Sequence, residues 1–237
     1  MIKYADDIIL LQPFTRNADL QSLLHAEISH ARSWCEDHGL SLNNKKTKTM
    51  IVAKQTISNL DDTALGTTPV TTLKILGVTF TKSLKWSNHI SSVCRKASSR
   101  LFILRRLREF MTKDDLITAY RAYIQSLLEY NSQVMVGLTC TDNDKLERIR
   151  RRAHRMICGR HCNCGEFTPL KIRRDYHAIK TFLKMRNKSH ILHSLFPPVL
   201  PRSNHLRLPR SKSHRRTSSF IPYCSSLYNT LYASSLP

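Results

Sequence analysis

Lys3-Tyr4-Ala5-Asp6-Asp7-Ile8-Ile9-Leu10-Leu11 sets two adjacent carboxylates between a short arm, Ile2 to Tyr4, and a β-branched run that Pro13 ends. That order predicts a hairpin with the acids at its turn. Two carboxylates on a rigid turn are hard oxygen ligands suited to Mg²⁺ beside phosphate. Acid-rich turns also simply solvate a chain, so the flanking sequence has to decide between the two.

Outward from the hairpin, Leu20, Leu23, Leu24, Ile28, Ala31, Trp34 and Cys35 recur at three- and four-residue steps, which predicts a helix from Asn17 that Gly39 can close. A lysine-rich turn, the strand Met50 to Ala53 and a polar loop with Asp61 and Asp62 come next. Val70 to Phe80 reads as a second hairpin interrupted at Gly77, where a tight turn or bulge would sit. After Trp86 the apolar period changes from two to 3.6. Ser87 can cap a first helix carrying Ile90, Val93, Ala97, Leu101 and Leu104, with Arg95, Lys96, Arg100, Arg105 and Arg106 on its remaining surface. Thr112 and Asp115 start a second helix running to Leu128. Thr141 and Asp144 repeat that start before a third, which bears Arg148, Arg150, Arg151, Arg152 and Arg155. Pro169 can open a fourth that runs toward His193. Beyond Pro197-Pro198 the sequence is rich in Pro, Ser, Arg and Lys and reads as an extended arm, with apolar anchors only from Phe220 to Tyr232.

The charge is lopsided. Of 38 Lys and Arg against 17 Asp and Glu, residues 1–87 hold 10 and 8, and residues 88–237 hold 28 and 9, so nearly the whole net charge of +21 belongs to the second part. A polyanionic partner for the helices follows, through Arg95, Lys96, Arg100, Arg148, Arg151, Arg152 and Arg155. Seven cysteines without a secretory leader imply reduced thiols inside the cell, in cytoplasm or nucleus, and Ile8 to Leu11 is too short to span a bilayer, so no membrane partner is expected. Cys158, Cys162 and Cys164, with His154 one turn earlier, could offer zinc ligands. The spacing is not a recurrent zinc pattern, so free thiols are expected instead.

Several segments, in order, resemble the reverse transcriptases of non-LTR (LINE-type) retrotransposons. The catalytic tetrapeptide of that family looks like Tyr4-Ala5-Asp6-Asp7. Its helix ending in Trp-Cys, followed by Gly-Leu-x-Leu-Asn-x-x-Lys-Thr-Lys, is similar to Trp34-Cys35 and Gly39 to Lys48. Its primer-grip strand resembles Leu73 to Phe80, its thumb resembles Trp86 to Leu107, and Leu146-Glu147-Arg148-Ile149 with Ala153 matches a later segment. Phe220 and Tyr228-Asn229-Thr230-Leu231 have terminal counterparts.

The resemblance implies that Asp6 and Asp7 bind Mg²⁺ (or Mn²⁺) for two-metal transfer of a dNTP onto a DNA primer, templated by RNA. It implies that Tyr4 supports the turn near the primer terminus, that Lys46 lies near the departing pyrophosphate, and that Leu76 and Gly77 form the primer grip. It also implies an α+β fold: a partial palm sheet with a packed helix over 1–85, a helical thumb over 86–196, and a basic, partly extended arm over 197–237. In the family another metal-binding aspartate precedes this hairpin, and Met1 stands three residues before Tyr4. The expectation is therefore a polymerase fragment that is inactive alone. The alternative is a non-enzymatic, basic helical module that binds nucleic acid.

Overall fold

A computed structural model describes residues 1–15, 19–53, 66–159, 165, 167–201, 205–208, 210–211 and 213–232. Asn17, the loop with Asp61 and Asp62, Cys162 and Cys164 lie outside the described residues. The chain is mixed α+β and divides into two compact units, Met1–Lys85 and Trp86–Pro237. Among the described residues no helix is long and apolar enough to cross a membrane.

In the first unit β1 (Ile2–Tyr4) and β2 (Asp7–Ile9) pair antiparallel with Tyr4 opposite Asp7, leaving Ala5 and Asp6 as a two-residue loop. Helix α1 (Leu20–Asp37) follows, capped by Asp19, whose side chain accepts from the amides of Gln21 and Ser22. β3 (Lys48–Thr49) pairs in parallel with β4 (Thr68–Pro69), and β5 (Thr72–Ile75) pairs antiparallel with β6 (Val78–Thr81). The expected single remnant of a palm sheet is corrected here. Among the described residues there are three separate two-stranded ladders, because no hydrogen bonds join one pair to the next.

The second unit is helical: α2 (Ser87–Leu107), α3 (Lys113–Tyr120), α4 (Ser126–Glu129), α5 (Cys140–Cys158), α6 (Leu170–Met185), α7 (His214–Thr217) and α8 (Phe220–Tyr232). One core is built from the apolar stripes of α2, α3 and α5, closed by Phe167 and Leu170. Tyr120 is buried at its centre, with its ring 4.8 Å from that of Phe167.

The helix starts differ in detail from the sequence expectations. Ser87 does not cap α2; its hydroxyl donates instead to Asp142 Oδ2 at 2.9 Å. Thr139, rather than Thr141, caps α5, because it is the residue with extended backbone and its hydroxyl accepts from the Asp142 amide. Thr112 and Asp115 do form a reciprocal capping box. The rod they open is α-helical only to Tyr120, then π-helical over Arg121–Gln125 before α4. Helix α6 stops at Met185, short of His193, where Asn187 turns the chain by accepting from the Ser189 amide.

The extended arm is corrected as well. Phe220–Tyr232 is helical, since Phe220, Cys224, Leu227 and Tyr228 recur at helical spacing and bury against α6 around Phe182. Val199 and Leu206 form an antiparallel bridge ahead of it.

Asp142 ties the starts of α2 and α5 together while almost fully buried, holding Ser87 and, at 3.0 Å, Lys145 Nζ. Burial pushes its carboxyl up, but hydrogen bonds from Lys145, Ser87 and Thr139 outweigh burial and hold it below the ordinary aspartate value. A lowered folded pKa means the stabilisation is complete above the unfolded value of about 3.9 and is lost as pH falls through the folded one. Asp142→Ala should cost about 2 kcal/mol in urea unfolding at neutral pH. The gap to the parent should narrow in acid; a gap independent of pH would refute this account of the carboxylate.

Candidate metal-binding hairpin and nucleic-acid interface

The hairpin at the N-terminal end is short, and its loop is strained. A two-residue hairpin loop needs positive φ, for which glycine or asparagine is the cheap solution, yet Ala5 takes φ 51°. Asp6 sits in that loop, Asp7 opens the return strand, and both are exposed. Tyr4 is 63% exposed at the end of β1. Behind the ladder, Lys3 Nζ lies 2.8 Å from the centroid of the Trp34 ring, and Trp34 stacks on His38 at 4.1 Å. Trp34 is therefore the platform that seats β1 on α1, while Cys35 beside it is buried.

Two hard carboxylates suit a divalent cation, but such an ion takes about six oxygen ligands. Among the described residues no cluster of three or more His, Cys, Asp or Glu side chains forms. Asp6 and Asp7 therefore fit only part of a metal site. Lys46 is exposed in a turn organised by Asn43, whose side-chain oxygen accepts from the Lys46 amide at 3.3 Å and whose carbonyl accepts from Thr47 Oγ1 at 2.9 Å. Among the described residues no hydrogen bond or ion pair joins Lys46 to Asp6 or Asp7.

The second hairpin repeats the strain. Ile75 pairs with Val78, so Leu76 and Gly77 are its loop, at φ 45° and 83°. Positive φ at both positions is the mirror-image turn that matches strand twist; glycine meets it freely, while an L-residue such as leucine pays about 1–2 kcal/mol. Leu76 is nevertheless 40% exposed, so burial of its side chain is not what holds that conformation.

In the second unit helical phase sorts the arginines. Arg148, Arg151, Arg152 and Arg155 fall within an arc of roughly 100° on α5. All four are exposed, on the side away from the buried stripe of Leu146, Ile149, Ala153 and Ile157. Arg150 lies outside that arc and turns inward. Its Nε pairs with Glu147 at 2.6 Å and its guanidinium donates to the Phe167 carbonyl at 2.6 Å, while Glu147 also accepts from the Leu170 amide. Glu147 thereby caps α6 from another helix, a job that Pro169 leaves open.

On α2, Arg95 and Lys96 are exposed, whereas Arg100 donates to the Tyr123 carbonyl inside the π stretch, where α-helical bonding is broken. Arg106 stacks over the exposed Phe102 at 5.2 Å. His154 and Cys158 share α5, with the His154 ring 5.0 Å from Phe167.

Sequence reasoning missed the loop strain at Ala5 and Leu76, the inward role of Arg150 and Glu147, and the carbonyl taken by Arg100. The strain had a signal: both loops are two residues long without Asn-Gly. Comparisons of the chain with family models, with curated proteins and with solved structures find no match.

Leu76→Asn should relieve the second turn and raise the denaturation midpoint of the first unit, by about 1 kcal/mol in free energy. An unchanged or lowered midpoint would show that the turn carries no such strain.

Proposed function

We propose that this chain is the hairpin-to-thumb part of an RNA-directed DNA polymerase of the non-LTR retrotransposon type. The observation that carries the reading is the placement of Tyr4-Ala5-Asp6-Asp7: a strained two-residue turn that presents two exposed carboxylates on a short ladder. Strain persists where function needs a particular backbone, and Leu76-Gly77 supports the same reading with a second strained turn in the segment that resembles a primer grip. In this reading Asp6 and Asp7 give oxygen ligands to Mg²⁺, which supplies charge neutralisation at the transferred phosphate. Tyr4 braces the turn beside the primer end, Lys46 faces the pyrophosphate, and Leu76 and Gly77 bring backbone close to the primer. The outward arginines of α5, with Arg95 and Lys96 of α2, run along an RNA–DNA hybrid and contact its phosphates without reading bases. Arg100 braces the π stretch through one guanidinium N–H and, being exposed, offers its other donors to the same phosphates.

Two carboxylates alone do not hold two ions in register, so the chain by itself should give no primer extension on poly(rA)/oligo(dT) with Mg²⁺. Fe²⁺ in place of Mg²⁺, with hydrogen peroxide as oxidant and ascorbate to re-reduce the iron, should instead direct oxidative backbone cleavage next to Asp6 and Asp7 when a hybrid is present. Asp6→Asn with Asp7→Asn should remove the cut. Cleavage elsewhere, or cleavage indifferent to those substitutions, would overturn the metal-hairpin assignment.

A second reading, a basic helical module that binds nucleic acid without chemistry, is favoured by the segregation of exposed arginines on α5. Under either reading, replacing Arg148, Arg151, Arg152 and Arg155 with Gln should weaken hybrid binding and flatten its salt dependence by roughly 0.9 in slope per lost phosphate contact. Arg150→Gln should lower stability and leave that slope unchanged. Should the two sets of substitutions act alike, the sorting of arginines by helical phase has no functional meaning.

A further inference from the structure

The sequence from Tyr176 to Pro237 contains ten Lys and Arg and no Asp or Glu. The last carboxylate before it, Asp175, is engaged, accepting from Tyr223 Oη at 2.7 Å. Cations in this stretch therefore have no acidic neighbour in sequence to neutralise them. They are densest between Arg207 and Arg216, where five of ten residues are Lys or Arg and four of the five are Arg.

This segment is fastened at both ends. On its N-terminal side Leu206 is buried, and both of its backbone polar groups are taken by one side chain. The Leu206 amide donates to Asn229 Oδ1 at 2.8 Å, and Asn229 Nδ2 donates to the Leu206 carbonyl at 3.0 Å. Asn229 thus pairs with Leu206 as a neighbouring strand would, and it does so from α8. The Arg207 amide adds a bond to the Pro198 carbonyl at 3.0 Å.

On the C-terminal side, Ser218 rests on Gly137 so closely that a Cβ at Gly137 would stand 2.6 Å from both Ser218 Cβ and the Ser218 carbonyl oxygen. Phe220, two residues on, enters the cluster around Phe182. Arg207 and Arg210 in the loop, and Arg215 and Arg216 in the single helical turn of α7 that ends it, lie between these anchors, and all four are exposed. Among the described residues none of them forms an ion pair.

We propose that this fastened loop is a second polynucleotide-binding element, separate from the arginine stripe of α5, and that Asn229 is its positioning residue. The ligand is the phosphate backbone of RNA or single-stranded DNA. Planar guanidinium forks suit phosphate oxygens, and the arginine bias favours that over a plain field of lysines. A free basic tail loses conformational entropy when it binds, whereas a loop already closed at both ends has lost much of it in folding. The inference rests on the reading of the chain as a nucleic-acid-binding protein, and it adds a location that the resemblance does not supply.

The test is binding of the full chain to a uridine homopolymer between about 50 and 200 mM salt. Replacing Arg207, Arg210, Arg215 and Arg216 together with Gln should leave the thermal melt unchanged and reduce the slope of log affinity on log salt by up to about 3, at roughly 0.7 per phosphate contact on a single strand. Asn229→Ala keeps every charge, so it should weaken binding by about tenfold through the cost of ordering the released loop, with a nearly constant slope.

A parent chain that does not bind RNA sinks the nucleic-acid reading as a whole. A parent that binds, beside a quadruple variant of unchanged slope, sinks the loop alone. If the quadruple substitution abolishes binding to phosphatidylserine-containing vesicles but not to RNA, the ligand is an anionic membrane surface and the assignment is wrong. An Asn229→Ala chain that melts like the parent and binds as tightly removes the positioning role; if it does not fold, the quadruple variant still decides the loop.

Discussion

In a helical unit with a net charge of +19, the carboxylates that sit where helices meet tie its elements together. Residues 88–237 hold nine Asp and Glu, and four of them join one element to another. Asp142 takes the start of α2, Glu147 takes the start of α6, Glu129 pairs with Arg173 across α4 and α6, and Asp175 accepts from Tyr223 across α6 and α8. Each carboxylate is worth more there than on the surface, where an exposed ion pair contributes about 0–1 kcal/mol and is screened by salt. With these four acids engaged between elements, the exposed Arg148, Arg151, Arg152 and Arg155 of α5 form no ion pair with a carboxylate among the described residues.

The first unit obeys a different constraint. An isolated two-stranded ladder is marginal in water, and it gains stability only from further strands or from a helix packed behind it. β1 and β2 have the second remedy, since Lys3 lies over Trp34 on α1. Against that gain stand positive φ values at Ala5 and Leu76, each in a loop where another residue would be more stable. The unfavourable residue at the tip of the first hairpin stands directly beside Asp6 and Asp7, both exposed.

Much of the helical part was legible because its apolar period is long and its caps are local. The capping box of Thr112 and Asp115 needs only three residues of context, and the stripe of Ile90, Val93, Ala97, Leu101 and Leu104 repeats over many turns. What was not legible depends on partners distant in sequence. Nothing near Ser87 announces that its hydroxyl will be claimed by Asp142, nor does anything near Leu206 announce Asn229. The arm read as extended because its Pro, Ser and Arg composition dominates, while the helix at its end packs on a cluster around Phe182, which is distant in sequence. The hairpin acids were legible as a turn, and the lack of Asn-Gly in so short a loop signals strain, but which residue takes the positive φ is set by the pairing of Tyr4 with Asp7 rather than by Ala5 itself.

Arginine content therefore says little until helical phase and neighbours are known. Arg148, Arg150, Arg151 and Arg152 crowd one turn of one helix, yet Arg150 is consumed by Glu147 and the Phe167 carbonyl while the others face out. Arg100 also donates to a carbonyl, that of Tyr123 in the π stretch, but its side chain stays exposed. Inward arginines hold the outward ones in place: without the Arg150–Glu147 staple the start of α6 would lose its cap, and α5 would lose a contact fixing its rotation about its own axis. The geometry of any phosphate-binding face on this helix is thus set by a residue that never touches the ligand.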